Sequence, residues 1–261
     1  MARSPSRFSQ GERRARLLAL LRREGTVRIA TLARSFSVTT ETVRRDLDHL
    51  AQSGALKRTY GGGAARSLTD EPGIGIRAQA RAAERARIGA AAASRVSAGD
   101  ALMIDCGSTT ALFANALAAR DLPLTVLTNC LPAARVLATA SRCRVILCPG
   151  EFVLREGGVY GADTVEFLRR FKVNRAMIGA GGLAPDGVTD ADSRSCAVKR
   201  AMLDCAERVA LLVDSSKFDV VQFERVAPLA AIDEIVVDRA PPSRLAAALR
   251  AAKVDVVIAK G

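Results

Sequence analysis

The chain has no tryptophan, and aromatic residues make up only 4% of it. Single-stranded nucleic acid is usually gripped by successive aromatic platforms, so that mode of binding is disfavoured. There is one histidine, His49, and the six cysteines, at 106, 130, 143, 148, 196 and 205, form no CxxC pair. Neither a zinc site nor a Cys-His nucleophile can be assembled from such a set, and the thiols read as small core residues of a reducing compartment. No run approaches the ~20 consecutive apolar residues that a membrane span needs. The start Met-Ala-Arg-Ser-Pro-Ser has no apolar signal core. A cytoplasmic protein with no cofactor, no metal and no membrane partner is expected.

Acidic residues are scarce at one end. Residues 1–66 hold 14 Lys+Arg against 5 Asp+Glu, whereas residues 67–261 hold 25 against 22, so +9 of the total +12 lies in one quarter of the length. Concentrated positive charge attracts polyanions by counterion release. Duplex nucleic acid fits better than a membrane surface, because no basic helix here carries a bulky apolar face beyond its core stripe.

What fills that basic quarter is organised. Ser9-Gln10-Gly11-Glu12 has the form of a capping box and opens a helix carrying Leu17, Leu18 and Leu21 that closes near Gly25. From Val27 to Phe36, Ile29, Leu32, Ala33 and Phe36 keep helical spacing, and Ser37-Val38-Thr39 supplies a short turn. In the next helix Val43, Leu47 and Leu50 form a buried stripe, while Thr39, Thr40, Thr42, Arg44, Arg45 and His49 stay available for phosphate or bases. After Gly54-Ala55, the short basic stretch Lys57-Arg58-Thr59-Tyr60 runs into three glycines, as a β-wing would. The spacing is that of a winged helix-turn-helix over residues 1–64, contacting duplex DNA through these residues and through Lys57, Arg58 and Tyr60. An ordinary three-helix unit with solvated charges would share the periodicity; the charge partition favours the DNA reading.

Residues 65–76 mix Pro, Gly and small polar residues without periodicity and read as a linker. Beyond them, 49% apolar content overall leaves enough chain for one core of about 180 residues. Apolar runs at 101–105, 124–128, 145–148, 175–179, 209–214, 234–238 and 254–259 alternate with helical patterns near 78–97, 110–119, 131–140, 163–171, 195–206 and 242–252. Runs apolar throughout should be covered on both faces, which predicts an α/β domain with a parallel sheet over residues 77–261.

Ligands of such sheets bind at the carboxyl ends of the strands. There the sequence places Asp105-Cys106-Gly107-Ser108-Thr109-Thr110, Thr128-Asn129, Gly179-Ala180-Gly181-Gly182 and Asp214-Ser215-Ser216-Lys217-Phe218. A glycine and hydroxyls at a helix N-terminus favour an anion, and Lys217 is a candidate point charge for a phosphate. Asp105 and Asp214 could accept from a polyol. Each loop alone would pass for a surface turn or helix cap. Gly179–Gly182 lacks full GxGxxG spacing, so a dinucleotide site is not expected.

Arg13, Leu17 and Leu21, followed by Thr39, Thr42, Val43, Arg44, Arg45, Asp46 and Leu47, resemble the helix-turn-helix signature of DeoR-type bacterial transcription regulators. Tyr60 stands where many members have histidine. The likeness continues through Asp105–Thr110, Leu127–Asn129, Val198-Lys199-Arg200-Ala201-Met202 and Asp214–Phe218, and so covers nearly the whole chain. It implies a sensor domain similar in fold to ribose-phosphate isomerases and coenzyme A transferases. It further implies a sugar-phosphate-like effector held by Asp105, Gly107, Ser108, Thr109, Thr110, Asn129, Gly181, Lys199, Asp214 and Lys217, and repression of a sugar-catabolism operon by a homo-oligomer. Arg194-Ser195 occupies the place where members often carry glutamates and where the related isomerases have a catalytic carboxylate. That departure argues against catalysis, and it leaves Arg194 as either a solvated residue or a contact for a more acidic effector. The alternative is a sugar-phosphate isomerase-like enzyme with a basic appendage.

Overall fold

A computed structural model of the chain describes residues 8–52, 56–65 and 67–260. It divides into two compact units, Met1–Ser67 and Leu68–Gly261.

In the first unit α1 (Gln10–Glu24) begins at the expected capping box. Ser9 accepts from the Glu12 amide while Glu12 accepts from the Ser9 amide, and Gly25 ends the helix at φ +72°. α2 (Ile29–Phe36) buries Ile29, Leu32, Ala33 and Phe36, as its spacing requires. The helical reading from Val27 needs correction: Thr26–Arg28 is a short strand, β1. β1 pairs with β3 (Gly62–Ala64), which also pairs with β2 (Lys57–Thr59), giving the sheet order β1-β3-β2. Three residues are too few to display a period, so only the wing reveals β1. A Cβ on Gly62 would lie 1.9 Å from the Val27 carbonyl oxygen, so this close strand approach needs glycine. Gly54 and Ala55, expected just before the wing, lie outside the described residues.

α3 (Thr40–Gln52) packs Val43, Leu47 and Leu50 into a core shared with Leu17, Leu21, Leu32 and Phe36. One charge is inside as well. The side chain of Asp46, only 2% exposed, accepts from Nε of Arg13 and, at 2.9 Å, from Nε of Arg14. The carboxylate thus clamps α1 to α3. Removing one partner of a buried pair leaves an uncompensated charge.

In the second unit the seven apolar runs all become strands of one parallel sheet. They are β4 (Ala101–Ile104), β5 (Leu124–Thr128), β6 (Cys143–Leu147), β9 (Val173–Ile178), β12 (Ala206–Leu212), β14 (Glu234–Val237) and β15 (Asp255–Ile258), in the order β15-β14-β12-β9-β4-β5-β6. Helices α5 (Ala82–Ala93), α6 (Ser108–Ala118), α7 (Leu131–Leu137), α8 (Ala162–Arg169), α9 (Ser193–Cys205) and α10 (Ser243–Ala251) occur where the periodicity places them. Successive strands run outward from β4 in one direction and from β9 in the other. The crevice of a doubly wound sheet therefore opens between these neighbours.

Two small antiparallel additions went unread in the sequence: the hairpin of β7 (Glu151–Val153) with β8 (Gly158–Tyr160), and the sheet of β10 (Gly182–Ala184), β11 (Gly187–Asp190) and β13 (Glu224–Ala227). The helix expected from residue 78 is also interrupted. α4 (Ile74–Gln79) stops at Ala80, and Arg81 takes a left-handed φ of +54° before α5 starts.

The expected linker is largely part of this unit. The Phe223 amide donates to the Leu68 carbonyl, the Ile74 amide donates to the Arg155 carbonyl, and Glu71 is buried. Composition misled here, because Pro and Gly serve a tight course over the body as well as they serve a hinge. Five cysteines are buried and Cys143 is half-buried, all as free thiols. Among the described residues, no helix is long and apolar enough to cross a membrane, and no cluster of side chains could hold a metal ion.

Asp46→Ala should lower the stability of the first unit by about 3–5 kcal/mol through the buried charge left on Arg13. Urea unfolding followed by circular dichroism measures it, and a loss under about 1 kcal/mol would make the pair no stronger than a surface one.

Candidate functional site

At the start of α3, Thr39 and Thr42 share a hydroxyl contact of 2.9 Å, and Thr39 accepts from the Thr42 amide, fixing the helix start. Thr40, Arg44, Arg45 and His49 are exposed. Both arginines lean on Glu41, Arg45 at 3.2 Å and Arg44 at 3.9 Å, in solvent-exposed pairs. Such pairs are worth well under 1 kcal/mol, so a phosphate or base edge can replace them readily. On the wing, Lys57 and Tyr60 are exposed, with Tyr60 at the turn beside Gly61. Arg58 is placed differently from the expectation of a free backbone contact. It donates to Asp48 at 2.9 Å and to the Gly62 carbonyl at 2.6 Å, so it braces the wing against α3.

The second site lies at the carboxyl ends of β4, β9 and β12. Asp105 leaves β4, and its carboxylate accepts from the Gly179 amide beyond β9. Lys199, on α9, is buried between Asp105 at 3.0 Å and Asp190 at 2.9 Å, and donates to the Ser195 hydroxyl at 2.6 Å. Burial opposes its charge, yet Asp190 and Asp105 outweigh burial and hold its pKa above the ordinary lysine value. It is a fixed cation rather than a base.

Beside it, Arg85 donates to Asp214 at 2.7 Å and to the Ser108 hydroxyl at 3.0 Å. Burial raises the Asp214 pKa, but Arg85 and the Ser216 contact lower it further, so Asp214 stays ionised. Lys217 pairs with Glu71 at 2.7 Å, and Arg77 pairs with Glu71 at 2.8 Å and with Glu156 at 2.5 Å. Gly107 is the N-cap of α6 and offers no side chain, so no side chain caps that N-terminus.

Asp105, Lys199, Arg85, Ser108, Lys217 and Arg77 line a small cavity of about 30 Å³, next to a wider one of about 370 Å³. Glu71, Arg77, Cys106, Asp190 and Lys199 border both. Of the residues expected around an effector, Asp105, Gly107, Ser108, Thr109, Lys199 and Lys217 are brought together. The other four are placed elsewhere. Thr110 turns its hydroxyl to the Asp105 and Gly107 carbonyls. Asn129 is fully buried and donates to the Val159 carbonyl, holding β8. Gly181 backs onto Gln222, and Asp214 stands behind Arg85.

Arg77, Arg85 and Glu71 were not anticipated. Arg77, Arg81 and Arg85 recur at four-residue spacing, a signal legible in the sequence; nothing there marks Glu71. Arg194 borders the wider cavity and is paired with Asp192 at 2.7 Å.

Burial pushes the Glu71 carboxyl up from its ordinary 4.5, but Lys217 and Arg77 pull harder and bring it to about 2. Its contribution to stability is complete above the unfolded value and disappears as pH falls through the folded one, roughly 3 kcal/mol in all. Urea unfolding between about pH 5 and pH 2.5 should show a flatter acid limb for Glu71→Gln. Equal slopes would mean that the two cations do not hold this carboxylate.

A model of the DeoR-like helix-turn-helix domain matches residues 13–69, and one of the DeoR C-terminal sensor domain matches residues 80–239. The glycerol-3-phosphate regulon repressor of Escherichia coli K12 is 31% identical over 90% of this chain and 93% of its own length. The transcriptional repressor GlcR of Bacillus subtilis is 30% identical over 89% and 90%, and the L-fucose operon activator of Haemophilus influenzae is 29% identical over 88% and 92%. Among solved structures, ribose 5-phosphate isomerase A of Methanocaldococcus jannaschii is 17% identical over 51% of this chain and 52% of its own, with a TM-score of 0.39. With a helix-turn-helix model matching the winged unit and a sensor-domain model matching the α/β unit along most of its length, the chain belongs to the DeoR family of DNA-binding transcription regulators.

Proposed function

We propose that the chain is a sequence-specific repressor of a sugar-catabolism operon, and that a phosphorylated sugar or related metabolite relieves the repression. The observation that carries the effector half is the gathering of Lys217, Arg77 and Arg85 around the N-terminus of α6, at the switch point of the sheet and beside a cavity large enough for a small ligand. Fixed cations and unpaired helix amides favour a phosphate. Two of the relatives are named repressors, which supports repression, and one is named an activator.

A homo-oligomer is the expected assembly, since one recognition helix reads few base pairs and a second half-site multiplies affinity. Catalysis is not part of this reading. Lys199 is held charged between two carboxylates, and the chain's one histidine lies in the first unit. Incubation with pentose and hexose phosphates should therefore give saturable binding without turnover; product formation would favour the isomerase-like alternative.

Mobility-shift assays with the full chain test the DNA half. Arg45→Ala should cost about 1–3 kcal/mol and relax specificity at one position, whereas Lys57→Ala should weaken binding to all sequences alike and reduce the salt dependence. Unchanged operator binding in Arg44→Ala/Arg45→Ala would reject the reading surface. A sugar phosphate that binds should release the operator in the same assay.

A further inference from the structure

The pocket's charges are matched one against another, and the matching is uneven. Lys199 has two carboxylates of its own, Asp105 and Asp190, both carried by the α/β body. Arg85 has Asp214, again from the body. Lys217 pairs with Glu71, and Arg77 divides itself between Glu71 and Glu156. Glu71 does not come from a strand, a helix or a loop at the carboxyl edge. It sits on the strap Leu68–Ile74, which begins immediately after the boundary that separates the two units.

A carboxylate set between a lysine and an arginine, and buried, is chemically a filled anion site. We propose that the anion subsite of the sensor is the Lys217–Arg77 pair, and that Glu71 occupies it as an internal stand-in which an anionic effector displaces. This rests on the sensor reading above and deepens it: the ligand's anionic group is assigned to particular side chains, and its arrival acquires a mechanical consequence. A phosphate dianion carries more charge and more acceptor oxygens than one carboxylate, and the uncapped α6 N-terminus and the Ser108 hydroxyl nearby can serve the oxygens that Glu71 leaves unserved.

The strap has other ties to the body, and Ile74 at its end packs against the core. Its remaining ties include the Leu68 carbonyl to the Phe223 amide, the Glu71 carbonyl to Arg155, and the Ile74 amide to the Arg155 carbonyl. Ejecting Glu71 removes the strap's ionic tie to Lys217 and Arg77. An extended chain spans up to about 3.3–3.6 Å per residue, so a freed strap lengthens the tether of the DNA-binding unit by up to about 20 Å. Ligand affinity is lowered by the fraction of molecules in which Glu71 already holds the site, and removing Glu71 lifts that penalty.

The test is calorimetric titration of inorganic phosphate into the full chain at constant chloride, with chymotrypsin cleavage of the strap after Leu68 mapped by mass spectrometry. Glu71→Gln should bind phosphate at least about tenfold more tightly than wild type, and its strap should be cut faster even without phosphate. Glu71→Asp, whose shorter side chain reaches less far, should show a smaller gain and serves if Glu71→Gln folds poorly. Adding Lys217→Ala should abolish the gain. Phosphate should speed strap cleavage in wild type. Equal or weaker phosphate binding in both Glu71 variants would overturn the displacement, even if sugar phosphates still bind wild type and Lys217→Ala impairs them. Failure of phosphate and of every sugar phosphate to bind any of these proteins would overturn the sensor reading along with it.

Discussion

Charges inside a protein must be neutralised where they stand, because an unmatched buried ion costs several kcal/mol. Much of this chain is arranged around that requirement. In the second unit it organises the carboxyl edge of the sheet. The amide after β9 is fixed by Asp105, the strand end after β12 by Asp214, and the start of α9 by Ser195 and Asp190, each linked to a cation that faces the same crevice. In the first unit one carboxylate, Asp46, does the corresponding job between α1 and α3. The surface of α3 needs no such matching, and there the arginines are exposed and paired, among the described residues, with Glu41. Buried charge sets the geometry, while exposed charge is left for exchange with a partner.

That contrast explains what could be read in advance. Leu124–Thr128 is a strand to the residue, and the Ser9 capping box forms as written, because each is decided by neighbours close in sequence. The parallel sheet follows from runs that are apolar throughout, and the positions of its ligand loops follow from the sheet. Strands of three residues such as β1 and β7 carry no readable period, and their existence depends on pairing with distant chain. The ion pairs are less legible still. Lys217 and Glu71 lie 146 positions apart, and Arg85 and Asp214 lie 129 apart.

Within the expected effector site the neighbourhood was legible and the direction of side chains was not. Thr110 and Asn129 have the right polarity in the right loops, but each donates to backbone carbonyls, Thr110 to those of Asp105 and Gly107 and Asn129 to that of Val159, and so serves the loop rather than the cavity. Asp214 faces an arginine rather than a polyol. Polar residues in a ligand loop therefore divide into those that build the loop and those left over to touch a ligand, and the local sequence does not separate the two.

The left-handed residue between α4 and α5 has a geometric consequence of its own. In an unbroken helix, positions 77 and 85 would be separated by about 12 Å along the axis. With the helix broken at Arg81, φ +54°, the Arg85 guanidinium donates to the Arg77 carbonyl. Arg77 from α4 and Arg85 from α5 thus line one cavity across the break. Arg81, the residue at the break, itself pairs with Asp214 and Asp238, so the elbow is anchored to the same edge of the sheet that the two arginines serve.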